Sequence, residues 1–178
     1  MTIILNERWC LSESPIAKGG VANIFTAQDL QSDNQVIVKI NTSEEIHQRE
    51  LETMLAIKEK NLPGFSVLID HGIAEEEQHC NDNTMEISKV FFIVMEQLGK
   101  NLSVIQVVHF PTGYSLKTVA QIGLQTLDAI ESLHAQGIIH CDVKPDNLCG
   151  SEFDHVIRLI DFGLSKSWRD ARGVHVPL

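Results

Sequence analysis

Four polar side chains stand at fixed spacing in His140-Cys141-Asp142-Val143-Lys144-Pro145-Asp146-Asn147, and Asp161-Phe162-Gly163 follows about a hairpin's length later. The set holds a carboxylate able to accept a proton, an ammonium group able to neutralise an anion, and carboxamide and carboxylate oxygens that suit a hard divalent cation. Phosphoryl transfer asks for such a set, because it needs little covalent help and rests on positioning and charge neutralisation. Asp-x-Lys-x-x-Asn on its own is also the composition of an ordinary solvated turn. The pattern His-x-Asp-x-Lys-x-x-Asn, however, occurs by chance in a chain of this length on the order of once in a thousand sequences, and the downstream Asp-Phe-Gly lowers that about a thousandfold.

Together the two segments resemble the catalytic loop and the magnesium loop of eukaryotic protein kinases. The resemblance implies Asp142 as the catalytic base that accepts or orients the substrate hydroxyl proton, with Lys144 reaching the transferred phosphate. It also implies Asn147 and Asp161 as ligands of Mg2+ bridging the ATP phosphates, while Phe162 packs inward. Small-molecule kinases of the aminoglycoside and choline type share His-x-Asp-x-x-x-x-Asn but usually lack both the lysine and Asp-Phe-Gly. Lys144 matches the serine/threonine version of the loop.

Upstream, Gln35-Val36-Ile37-Val38-Lys39 resembles the strand whose lysine holds the α- and β-phosphates; taken alone, such a lysine is usually a solvated charge. Its ion-pair partner is expected on the following helix, where Glu50 fits better than Glu52, and Met54 would then face inward toward Phe162. Ile16-Ala17-Lys18-Gly19-Gly20-Val21-Ala22-Asn23-Ile24 aligns with the glycine-rich phosphate loop, with Ala17 and Ala22 in place of its first and third glycines. Gly19 and Gly20 would still let backbone N–H groups approach phosphates, with a weakened grip. Ile16, Ile24, Ile37 and Cys149 are expected around the adenine. Ile37 replaces a small roof residue and Cys149 a larger floor residue, so the base would sit lower. Met95 takes the gatekeeper position and Glu96-Gln97-Leu98 the hinge. Cys141 replaces an arginine that in many kinases pairs with an activation-loop phosphate, which argues against that mode of control.

Within the kinases, Val94-Met95-Glu96-Gln97-Leu98-Gly99-Lys100-Asn101-Leu102 and Ile160-Asp161-Phe162-Gly163-Leu164-Ser165-Lys166-Ser167-Trp168-Arg169-Asp170 are most similar to the casein kinase I and vaccinia-related group. The likeness runs from residue 12 to about 176. It implies an α+β, bilobal fold: a β-rich N-lobe with one main helix and hinge over 1–98, and a partial helical C-lobe over 99–178. The rest of the activation segment and the helices completing the large lobe lie beyond the likeness, so Leu124 and Leu127 are expected to expose an apolar patch that a docking partner would cover. The implied activity is ATP- and Mg2+-dependent phosphorylation of Ser or Thr in a protein substrate. The alternative is an inactive half-kinase that serves as a binding or regulatory module.

The elements that must position these residues are legible in outline. Hydrophobic residues make up 43% of 178 residues, enough for a buried core, and no apolar run reaches the ~20 residues of a membrane helix. The stretch Met1–Cys10 lacks the layout of a signal peptide. A net charge of −10 with no basic run argues against nucleic acid and membrane surfaces as partners. Cys10, Cys80, Cys141 and Cys149 form no C-x-x-C pair and read as free thiols of the cytoplasm or nucleus; His79-Cys80 is the lone metal-like doublet. Runs at Ile16–Ala27, Gln35–Ile40, Ser66–Ile73 and Val90–Met95 predict strands, with a solvent-exposed loop over Glu75–Lys89. Thr42 with Glu45 predicts a capping box opening a helix with Ile46, Leu51, Met54 and Leu55 on its apolar face, ending by Asn61. A second helix is predicted over Ser115–Gln136, capped by Gly137 and carrying a face of Leu116, Val119, Gly123, Leu124, Leu127, Ile130, Leu133 and His134 at 3.6-residue spacing. Ile138-Ile139 and Val156–Ile160 predict short strands around the catalytic loop, and Gly99-Lys100-Asn101 marks the lobe boundary.

Overall fold

A computed structural model describes residues 3–79, 85–150, 154, 156–170 and 172–176, with side chains placed except at 76–79 and 85–88. In chain order the elements are β1 (Ile4–Leu5), β2 (Trp9–Leu11), β3 (Ala17–Lys18), β4 (Ala22–Asp29), β5 (Gln35–Asn41), α1 (Glu44–Glu59), β6 (Leu68–His79) and β7 (Met85–Glu96). There follow α2 (Leu102–His109), α3 (Leu116–Ala135), β8 (Ile138–Ile139), a 3-10 turn at Pro145–Asn147, β9 (Leu148–Gly150), β10 (Ile157–Leu159) and β11 (Lys166–Ser167). The class is α+β, and the chain divides into two compact units: Met1–Leu51 with Leu68–Gln97, and Glu52–Val67 with Leu98–Leu178. This division places 52–67 apart from the rest of 1–98.

The first unit is built on an antiparallel sheet of order β1-β2-β4-β5-β7-β6, with β3 paired to β4. Side chains alternate across a strand, so the β4–β5–β7 register sorts residues onto two faces. One face carries Phe25, Ala27, Val36, Val38, Phe92 and Val94, which close a core with Leu5, Trp9 and Leu11. Burial of Trp9 is completed by its indole N–H, which donates to Asp70 Oδ2 at 2.9 Å. Arg8 beside it grips Asp29 through two 2.8 Å bonds, and this partner holds the Asp29 carboxyl well below the usual range.

The structure adds a hairpin and corrects the expected loop, the expected cap and the expected place of Leu55. Asn6 and Glu7 both have positive φ and Arg8 N–H returns to the Leu5 carbonyl, forming a tight turn that joins β1 to β2 where the sequence pattern showed no strand. The predicted loop over Glu75–Lys89 is instead strand on both sides: β6 and β7 stay in register from Ala74 opposite Val90 out to His79 opposite Met85. Residues 80–84, and with them Cys80 of the His79-Cys80 doublet, lie outside the described residues. The cap of α1 is Ser43, whose Oγ accepts from Ile46 N–H at 3.5 Å; Thr42 donates its hydroxyl to the Val21 carbonyl at 3.0 Å and makes no capping box. Leu55 is exposed, and Ile57 takes its place among the buried residues of the helix.

The second unit is organised around the end of α1 and around α3. Helix α1 stops where Asn61 turns to φ 50° and Leu62 N–H reaches back to the Ile57 carbonyl. At Gly64, φ is 83° and a Cβ would lie 2.9 Å from that of Ala129, so only glycine lets this turn approach α3. Ser115 caps α3 by accepting from Thr118 N–H at 3.1 Å, and Gly137 at φ 81° ends it. Helix α2, capped by Asn101, was not foreseen. Strand β8 pairs with β11, and β9 with β10. On α3, Ala129 and Leu133 are buried, while Leu124 and Leu127 are more than 60% exposed. No helix among the described residues is long and apolar enough to cross a membrane.

Candidate functional site

In the first unit, the sheet face opposite the core carries four of the candidate residues. Ile24 pairs with Lys39 across β4–β5, and Ile37 pairs with Met95 across β5–β7, so all four project on one side. Thr26, Asn41 and Ile93 share that side. Lys39 is buried, and its Nζ lies 2.7 Å from Oε1 of Glu50, itself 1% exposed. Glu52 is exposed and takes no part in this pair. The second oxygen, Oε2, accepts from Asn41 Nδ2 at 3.4 Å. Asn41 was missed by sequence reading, although its place two residues after Lys39 on the same strand face was a usable signal.

The glycine segment forms the turn from β3 to β4. Ile16 N–H donates to the Ile24 carbonyl at 2.8 Å, and Gly19 N–H to the Ala22 carbonyl at 2.9 Å. A Cβ on Gly19 would come 3.2 Å from that same oxygen, whereas one on Gly20 would meet open space. A side chain at Gly19 would thus press on the turn, which would have to give by a few tenths of an ångström. Glu96 ends β7 and is half-buried.

In the second unit, Asp142, Lys144 and Asn147 converge. Oδ2 of Asp142 accepts from Lys144 Nζ at 2.7 Å and from Asn147 Nδ2 at 2.9 Å. Asn147 also donates to the Asp142 carbonyl at 2.9 Å, which closes the loop on itself. The Lys144 ammonium holds the Asp142 carboxyl below its usual range, so it stands ionised at neutral pH, and the same bond raises Lys144. With the amide nitrogen of Asn147 turned to Asp142, its Oδ1 is the end suited to a cation.

His140 ties this loop to the second motif. Its Nδ1 accepts from Asp142 N–H at 3.2 Å, so the ring proton sits on Nε2 and donates to the Ile160 carbonyl at 3.1 Å. Burial lowers its pKa and keeps the ring neutral. The ring also meets Phe162 edge-on at 5.2 Å, and Phe65 contacts Phe162 from another side at 5.8 Å. Phe162 is fully buried, as its inward packing required, and Asp161 before it has φ 67°. The left-handed region is costly for a residue with a Cβ and marks a position fixed by its surroundings.

Cys149, on β9 opposite Arg158, is buried, and burial pushes its thiol up to about 11. Leu98 is half-buried, and the N–H of Gly99 after it donates to the Gly150 carbonyl at 2.9 Å. Cys141 is exposed and has φ 66°. Asn147 Oδ1 and the Asp161 carboxylate are oxygen donors, the type that fits Mg2+ held by a few protein ligands and by phosphate.

Residues 12–176 match the family model described as protein kinase domain. The chain is 28% identical, over an aligned length of 182 residues, to a Caenorhabditis elegans protein described as a casein kinase I, covering 98% of this chain and 49% of the relative. It is 30% identical over 158 residues to an Encephalitozoon cuniculi protein described as a casein kinase I homologue, covering 87% of this chain and 47% of the relative. The chain therefore spans about half the length of these curated relatives.

Proposed function

The chain belongs to the protein kinase domain family, and from that membership we propose that it carries the ATP- and magnesium-binding half of a serine/threonine kinase of the casein kinase I type. The observation that carries the reading is the Asp142 carboxylate, ionised and oriented by Lys144 at 2.7 Å and Asn147 at 2.9 Å. A carboxylate so held stays ionised at neutral pH and can accept a hydrogen bond from a substrate hydroxyl, which orients its oxygen.

In this reading Asp142 orients a Ser or Thr hydroxyl of a protein substrate and takes its proton as the oxygen bonds to the γ-phosphorus; the bond to the β–γ bridging oxygen breaks and ADP leaves. Lys144 offsets the charge of the phosphoryl group in transit. Lys39, held by Glu50, binds the α- and β-phosphates. Asn147 and Asp161 would hold Mg2+, which when bound neutralises the phosphate charge. The backbone of Gly19 and Gly20 approaches the phosphates, while Ile16, Ile24, Ile37, Met95, Glu96, Leu98 and Cys149 receive the adenine. Residues 1–98 then serve as N-lobe and hinge and 99–178 as a partial C-lobe, with the exposed α3 face open to a docking partner. The free thiols and the acidic charge favour residence in the cytoplasm or nucleus over contact with nucleic acid or membrane.

The test is calorimetric titration of the purified chain with ATP-Mg beside the Asp161→Asn variant. Binding by the wild type that is lost in the variant supports the reading, and phosphotransfer to a mixed protein acceptor then follows as the second assay. A folded chain with no affinity for ATP-Mg overturns it.

A further inference from the structure

One stripe of helix α1 carries three buried polar side chains at three-residue spacing: His47, Glu50 and Thr53. Burying a polar group is unfavourable unless it is hydrogen-bonded, so each needs a specific partner. Glu50 has Lys39 and Asn41, and His47 lies 3.5 Å from Asn41 through Nδ1. One partner of Thr53 is 112 residues away. Its Oγ1 lies 2.8 Å from Oγ of Ser165, and both residues are 5% exposed or less.

Ser165 is in turn bound to the turn that contains Asp161. Its Oγ donates to the Phe162 carbonyl at 2.7 Å and its N–H donates to the same oxygen at 3.0 Å. Phe162 is fixed by the rings of His140 and Phe65, and Asp161 just before it is held at φ 67°. A non-glycine residue keeps such a backbone only where its surroundings determine it. Those surroundings include the Thr53 hydroxyl, reached through Ser165.

We propose that Thr53 and Ser165 are positioning residues for Asp161: their buried hydroxyl pair locks the Asp161–Ser165 turn onto helix α1, one turn after Glu50, and so sets the direction of the metal-binding carboxylate. The inference rests on the reading of Asp161 as a metal ligand. Neither hydroxyl touches the reacting atoms. Removing one should therefore act through metal affinity, as loss of an outer-shell partner does.

The experiment compares wild type, Thr53→Val, Ser165→Ala, Thr53→Ser and Asp161→Asn in two measurements. Mn2+ affinity in the presence of ATP is read by paramagnetic relaxation of water, and amide exchange is read at Gly163 and Ser165. Valine keeps the shape of threonine without the hydroxyl, so Thr53→Val should weaken Mn2+ by about tenfold and speed exchange at Ser165, with Thr53→Ser restoring both. Ser165→Ala should match Thr53→Val, and the two changes together should cost little more than either alone. If Asp161→Asn abolishes Mn2+ binding while Thr53→Val and Ser165→Ala leave affinity and exchange unchanged, the positioning role is overturned and the kinase reading stands. If the wild type binds no Mn2+ with ATP, the kinase reading is overturned and the role in metal binding falls with it.

Discussion

Gly72 faces Phe92 across the β6–β7 ladder so closely that a Cβ on residue 72 would sit 2.7 Å from Cζ of the phenyl ring and 2.9 Å from Cε1. Phe92 is a fully buried member of the sheet core and cannot swing out without opening it. Gly72→Ala should lower stability by about 2 kcal/mol through overpacking. Adding Phe92→Leu, which trims the clashing ring edge, should make the alanine tolerable relative to Phe92→Leu alone. Urea midpoints of the four proteins check this, and equal alanine penalties in both backgrounds would refute the contact as the cause.

The Lys39–Glu50 pair separates stability from function. Lys39→Met leaves the Glu50 carboxylate buried without its cation and should cost about 3–5 kcal/mol. Lys39→Met with Glu50→Leu removes both charges and should recover most of that loss. Nucleotide affinity should fall in both proteins, because neither has an ammonium group for the phosphates. Denaturant melts and ATP-Mg calorimetry on the same samples test the pair; ATP affinity returning with stability in the double variant would contradict the assigned role of Lys39.

Acid should weaken the fold in a window set by two histidines. Burial is the leading cause that lowers both His140 and His47 from the ordinary value of 6.5; His71 lowers His47 further and Glu44 opposes it. The folded chain therefore binds these protons less readily than the unfolded chain. Their contribution is complete above about pH 6.5 and is lost as pH falls through that value toward the lower folded pKa values. Urea midpoints should be level from pH 8 to 7 and decline from 6.5 to 5. His140→Gln should flatten part of the decline, and an unchanged slope in that variant would exclude His140 as a source.

Two thiols near the catalytic loop should differ in reactivity. Cys141 is exposed, whereas Cys149 is buried with its thiol pushed up to about 11. The thiolate is the reactive species, so iodoacetamide at pH 7.5 should label Cys141 at least tenfold faster, about what access and ionisation together imply. Peptide mass spectrometry over a time course measures both. Equal rates would mean that strand β9 opens as fast as the label reacts.

The loop from His140 to Asn147 was legible because its chemistry depends on residue types at short, fixed intervals, and Asp142, Lys144 and Asn147 do meet. Helix α3 was legible for a similar reason: Ser115 and Gly137 mark its two ends with local signals. The β1–β2 hairpin was not, because its turn places Asn6 and Glu7 at positive φ without a glycine to announce it. At α1, Thr42 and Ser43 are both able to cap, and only the position of the Val21 carbonyl decides which one does. The acidic run at Glu75 read as loop because carboxylates are rare in strands, yet backbone pairing with β7 carries it. Thr53 with Ser165 could not be paired at all from sequence, since 112 residues separate them and each is an unremarkable hydroxyl.

The carbonyl of Val21 accepts both the backbone N–H and the hydroxyl of Thr42, each at 3.0 Å. That one oxygen is a pivot shared by the downstream edge of the glycine turn and the residue that leads into α1. The N-terminal end of α1 and the turn are thus tied through one atom, next to Gly20, where an added Cβ would meet nothing within 4 Å. A change at Thr42 that removed both bonds would therefore release the glycine turn and the start of the helix that carries Glu50 at once.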